Sequence, residues 1–231
     1  MIMTRPAADL TALQDATDRF LVTAGTLDDA AVERPSRLPG WTRGHVLAHL
    51  ARNADALVNV LAGRPMYASA EARDADIERG AGRPVADHLA DVRESAARLA
   101  GAAAALTEEQ WDATVELRNG VTDLASAIPF RRWVEVELHH VDLDAGHTLD
   151  DLPGAFTDGA VPYLARRFAG HPELPPLRLT AEDGRTWSSG GSEGEPVHVS
   201  GSPQALTGWL SGRTGGGGLT ASGPLPALPA L

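Results

Sequence analysis

The chain has 231 residues, enough for one large domain or two small ones, and a hydrophobic fraction of 43% that suits a packed core. Its formal net charge is −11, with no cluster of Lys and Arg, which argues against nucleic acid and anionic membrane surfaces as partners. Cysteine is absent, so disulfides, thiolate metal sites and a cysteine nucleophile are excluded; a bound metal must take nitrogen and oxygen ligands, and thiol chemistry needs a thiol brought in by a cofactor. No run approaches the roughly 20 apolar residues of a membrane span, and the first residues lack an apolar run of signal-peptide length, so a cytoplasmic location is expected.

Leu10, Leu13, Ala16, Phe20 and Leu21 recur at helical spacing and predict an amphipathic helix from Ala7 toward Leu27, closing near Gly25-Thr26. The Pro and Gly of the segment Arg34–Gly40 predict a loop. Thr42 is the expected N-cap of a second helix running through His45, His49 and Asn53 to about Leu61. Val46, Leu50, Leu57 and Leu61 mark its apolar face; His49 and Asn53 fall at the edge of that face, and His45 lies one step further toward solvent. His49 is therefore the histidine expected to turn inward, although a core-edge histidine with one hydrogen bond fits the same position. Residues 63–82, charged and punctuated by Gly and Pro, predict a mobile excursion near a site mouth. A third helix is predicted from near Pro84 to Leu106, where the run Ala102–Ala105 suits close helix packing. Thr114–Gly120 reads as a short extended segment ending in a turn.

The run Phe130–Leu143 carries the chemistry. On a helix turning about 100° per residue, Glu135, His139 and Asp142 fall on one stripe bordered by apolar residues, while Glu137, His140 and Asp144 are expected to face water. Burying a carboxylate and an imidazole one turn apart calls for a compensating partner, and a divalent metal is one. A surface Glu–His pair at i, i+4, worth a few tenths of a kcal/mol, suits the same spacing. For Asp142 two roles fit equally, orientation of a ligand and a helix-end salt bridge.

Four helices predict a bundle over residues 1 to about 148, an architecture that builds metal sites from inward-facing side chains. A linker rich in Asp, Gly and Pro, Asp144–Gly154, leads to a smaller α/β domain over residues 155–231, which makes the fold class α+β. Its predicted elements are a helix over Phe156–Phe168, strands at Leu177–Thr180 and Pro196–Ser200, a turn at Asp183-Gly184, and a helix over Ser202–Leu210 with Pro203 at its first position. The tail Pro224–Leu231 is expected to be loose.

Three segments taken together resemble the mycothiol-dependent maleylpyruvate isomerase family: Leu38-Pro39-Gly40-Trp41-Thr42-Arg43-Gly44-His45-Val46-Leu47-Ala48-His49-Leu50-Ala51-Arg52-Asn53; Arg132-Trp133-Val134-Glu135-Val136-Glu137-Leu138-His139-His140-Val141-Asp142-Leu143; and Gly201-Ser202-Pro203-Gln204-Ala205-Leu206-Thr207-Gly208-Trp209-Leu210-Ser211-Gly212-Arg213. The resemblance spans nearly the whole chain. It implies a DinB-like four-helix bundle followed by a small α/β domain. It also implies zinc or another divalent metal on His49, Glu135 and His139, the residues the helix faces select. The cofactor implied is mycothiol, a cysteine-containing pseudo-disaccharide, whose thiolate would add to the cis double bond of maleylpyruvate and leave after rotation, giving fumarylpyruvate. Arg213 matches an arginine implicated in the family's second domain and would grip a substrate carboxylate, with a helix C-terminal arginine as its plain alternative. Asp142 joins it as a catalytic candidate, Arg52 and Asn53 are the candidates for holding the cofactor, and Arg131 is a further cation near the stripe. A mycothiol S-transferase, a thiol-dependent biosynthetic enzyme acting on another electrophile, and a non-catalytic metal-binding module are the alternatives. Partners are expected to be a small electrophile and mycothiol, with the chain a monomer or weak homodimer.

Overall fold

The computed structural model describes residues 6–229 and divides into two compact units, Met1–His147 and Thr148–Leu231. Among the described residues no helix is long and apolar enough to cross a membrane.

The first unit is built on α1 (Ala7–Ala24), α2 (Asp29–Val32), α3 (Arg43–Leu61), α4 (Ala70–Ala81), α5 (Val85–Ala104), α6 (Glu108–Trp111), a two-stranded hairpin of β1 (Thr114–Glu116) and β2 (Thr122–Leu124), and α7 (Ile128–Asp142). The four long helices close a ring: α3 packs on α5 and α7, and α1 packs on the other sides of the same two helices. Phe20, Val46, Leu47, Leu50, Val92, Ile128 and Val141 fill its interior. Each such side chain contributes about 1.5–3 kcal/mol of burial. Thr42 caps α3 as expected; its side chain accepts from the His45 N–H while His45 Nδ1 accepts from the Thr42 N–H, so His45 is a capping residue.

Two expectations change here. Residues 70–81 are helical, started by Ser69, whose side chain accepts from the Ala72 N–H. This α4 lies tight on α3, since a Cβ on Gly44 would sit 2.0 Å from the Ala81 carbonyl oxygen. Glu137 and His140 do not face water: they are 0% and 1% exposed. The reason is that α7 is covered on two sides, by α3 and by α1, and Arg19 of α1 reaches in to Glu137 at 2.7 Å. Asp144 does stay half-exposed, paired with Arg37.

The second unit places α8 (Gly154–Arg167) and α9 (Pro203–Leu210) with a four-stranded sheet of β3 (Leu177–Ala181), β4 (Thr186–Ser189), β5 (Val197–Gly201) and β6 (Thr220–Ala221), ordered β4-β3-β5-β6. Ser202 caps α9 and Pro203 opens it. The turn at Asp183-Gly184 leads into β4, a strand the pattern missed, and the two predicted strands pair parallel, Leu179 opposite Val199. The return crossing needs Gly190, held at φ +71°, where a Cβ would lie 2.0 Å from the Pro175 carbonyl oxygen. Val161, Leu164, Leu179, Val199, Leu206 and Leu210 form the core of this unit, and Leu225 and Leu228 pack against it, so the tail is anchored through those residues. Leu231, the end of the tail expected to be loose, lies outside the described residues.

Candidate metal centre

Helices α3 and α7 bring His49, Glu135 and His139 to one point. Glu135 Oε2 lies 3.1 Å from His49 Nε2 and 3.3 Å from His139 Nε2, and the two imidazoles approach with centroids 4.7 Å apart and planes at 79°. Nitrogen and oxygen donors bound to one tetrahedral ion at about 2.0–2.2 Å are separated by about 3.3–3.6 Å, so the carboxylate oxygen stands within a few tenths of an ångström of that spacing from each imidazole nitrogen, and all three ligand atoms lie within 4.8 Å of one another. Each imidazole directs its lone pair within its own plane. Planes this steeply inclined can intersect at a common ligand position, as a shared ion requires. The two histidines are buried, whereas the Glu135 side chain is 37% exposed and opens the cluster on one side.

The surroundings differ for the two imidazoles. Asp142 Oδ2 lies 2.8 Å from His139 Nδ1, which directs Nε2 of that ring at Glu135. Burial opposes charge on His139, but the hydrogen bonds to Asp142 and Glu135 outweigh it and raise the pKa. His49 is pushed down to about 4 by burial, against the opposing pull of its hydrogen bond to Glu135. Burial alone would raise the Glu135 carboxyl, yet the hydrogen bonds from His139 and His49 hold it well below the usual range. Neutral imidazole at His49 and ionised carboxylate at Glu135 are the forms that bind a cation.

A second trio, Glu137, His140 and His147, also lies within reach of one point. Its rings stack 3.7 Å apart and only 7° from parallel, so their lone pairs do not converge, and Glu137 Oε1 already accepts from Arg19 Nη2 and Trp133 Nε1. This trio is an internal polar knot of the bundle.

The other sequence candidates are placed as follows. Arg52 pairs with Asp91 at 2.6 Å and Asp55 at 3.0 Å, and Asn53, 4% exposed, accepts from buried Arg132 at 2.7 Å. Both sets of contacts are internal to the bundle. Arg131 pairs with Asp123 at 2.7 Å. Arg213 belongs to the second unit, where its Nη1 donates to the Ser211 carbonyl at the end of α9, as an arginine at a helix C-terminus does. Two residues escaped the sequence reading. Arg73 of α4 donates from Nη2 to His49 Nδ1 at 3.3 Å, and Tyr67 stands with its ring 5.9 Å from the Arg73 guanidinium carbon. Ser69, an N-cap with Glu71 two residues on, was the available signal that this stretch is a helix packed on the site. Tyr67 also lines a cleft of about 550 Å³, together with the hairpin segment Thr114–Gly120.

Residues 13–144 match the profile of the mycothiol maleylpyruvate isomerase N-terminal domain, and residues 151–230 match the MDMPI C-terminal domain. No curated protein is similar enough in sequence to match. Among solved structures, a crystal structure of the mycothiol-dependent maleylpyruvate isomerase superposes with a TM-score of 0.90 at 29% identity, covering 99% of this chain and 98% of that one. A histidine-to-alanine mutant of the mycothiol-dependent maleylpyruvate isomerase gives 0.89 at 28% identity with the same coverage. The two matched domains account for both units, and on that ground the chain belongs to the mycothiol maleylpyruvate isomerase family.

Proposed function

We propose that the chain is a mycothiol-dependent, metal-dependent isomerase that converts maleylpyruvate to fumarylpyruvate. The observation that carries this reading is the convergence of His49 Nε2, Glu135 Oε2 and His139 Nε2 at a spacing suited to one ion, in a chain of this family. Two His and one Glu form a ligand set that leaves a coordination position open, and zinc suits it. When bound there, the cation would lower the pKa of a thiol at that open position. Mycothiol would supply the thiol that a cysteine-free chain lacks.

The chain's own residues then have separable tasks. His49, Glu135 and His139 hold the ion, and Asp142 keeps the His139 ring in the tautomer with Nδ1 protonated and Nε2 free to ligate. Arg213 grips a substrate carboxylate through its guanidinium fork. The test is to incubate zinc-loaded protein with mycothiol and maleylpyruvate and follow the cis isomer. Turnover that needs both metal and thiol is expected. A stable thioether adduct would point to a transferase instead, and no reaction with either would overturn the reading.

A further inference from the structure

The two imidazoles of the cluster have opposite neighbours on their outer nitrogens. His139 Nδ1 faces a carboxylate, but His49 Nδ1 faces Arg73, and a guanidinium carries donors only. In the arrangement seen, His49 Nδ1 therefore accepts, and the ring's single proton lies on Nε2, where it is donated to Glu135. A histidine that ligates through Nε2 must carry that proton on Nδ1 instead, which sets two donors against each other across 3.3 Å. Arg73 is the partner able to yield. It sits on α4 with its side chain 14% exposed, its other terminal nitrogen on the exposed Asp74, and the Tyr67 ring beside it. Tyr67 lines the cleft, and Arg73, 5.9 Å from its ring, stands between that ring and His49.

We propose that Arg73 is the carboxylate-binding residue of the helical unit, held against His49 while Nε2 carries the proton and released toward the cleft at Tyr67 when that nitrogen ligates a cation. This rests on the isomerase reading for the nature of the substrate, an anion with carboxylates to be gripped, and extends it by a residue on a different helix from the ligands. A guanidinium freed beside the cation gives a planar fork for one carboxylate, and the donor conflict ties its release to metal loading.

Arg73→Met removes the donors and keeps the aliphatic stem. Zinc affinity, read by competition with a chromophoric chelator, should tighten by about 3- to 10-fold, because a donor opposed to the ligating tautomer is gone. Affinity of the zinc-loaded protein for maleate, a dicarboxylate probe read by calorimetry, should weaken by about 10-fold or more. Arg73→Lys keeps the charge without the fork and should restore part of the maleate affinity, which also covers the case in which the Met variant fails to fold. Zinc affinity unchanged or weakened in Arg73→Met, maleate affinity equal to wild type, or no recovery in Arg73→Lys would each overturn the assignment. Absence of isomerase turnover in the wild-type protein would count against the isomerase reading alone, since both binding measurements judge Arg73 without it.

Discussion

His139 and Asp142, three residues apart on α7, share a 2.8 Å hydrogen bond in a site where Asp142 is fully buried. The bond fixes which nitrogen of the ring points at Glu135. Asp142→Asn, which keeps the shape but lets the amide donate as well as accept, should therefore loosen the ring's tautomer. Metal affinity is expected to drop by about 10- to 100-fold, the usual cost of losing such a partner. Chelator competition on the purified variant measures it; an affinity equal to wild type would leave Asp142 as a helix-end residue only.

Glu137 is fully buried and its ionic partner Arg19 is 43% exposed. Removing the cation with Arg19→Met leaves a buried carboxylate with less compensation, and a loss near 3 kcal/mol is expected, the low end for a broken buried pair because Arg19 is partly solvated. The double change Arg19→Met with Glu137→Leu should recover most of it, since an apolar replacement removes the desolvated charge as well. Urea melts of the metal-free proteins decide; a single-variant loss below about 0.5 kcal/mol would mean the pair behaves as a surface one.

His88 on α5 is 0% exposed, with Nε2 donating to the Ala81 carbonyl, and burial lowers its pKa from 6.5. The folded state thus binds this proton less readily than the unfolded chain. The stability it contributes is present above about pH 6.5 and is lost as pH falls below that value toward the lowered folded pKa, at up to about 1.4 kcal/mol per pH unit. His88→Gln keeps a donor and removes the titration, so its stability should fall less than wild type between pH 7.5 and 5.5 in urea melts. Equal slopes would show that His88 takes no part.

Residues three, four and seven apart on one helix share a face whatever the rest of the chain does, so Glu135, His139 and Asp142 could be grouped from spacing alone, and the bundle followed from four amphipathic stretches. The burial of Glu137 and His140 could not be read the same way. A charged residue on the back of a helix looks alike whether that face meets water or a further helix, and only the packing of α1 on α7 decides. Helix α4 was hidden by composition: its charges and Gly80 resemble a loop, and its stability comes from the Ser69 cap and from contact with α3 at Gly44 rather than from an apolar stripe of its own. Arg73 and Tyr67 were lost with it. In the second unit the Asp183-Gly184 turn is legible, but three of the four residues of β4 are polar and its pairing partner is set by the sheet.

Whether His49, Glu135 and His139 together hold one divalent ion is decided by elemental analysis after reconstitution with zinc and desalting, run on the wild-type protein beside His49→Ala, Glu135→Gln and His139→Ala. One equivalent in the wild type and little in any of the three variants, with each variant retaining its helical circular dichroism, is the predicted result. Full occupancy in either histidine variant, or none in the wild type, would rule out a shared ion at these three residues.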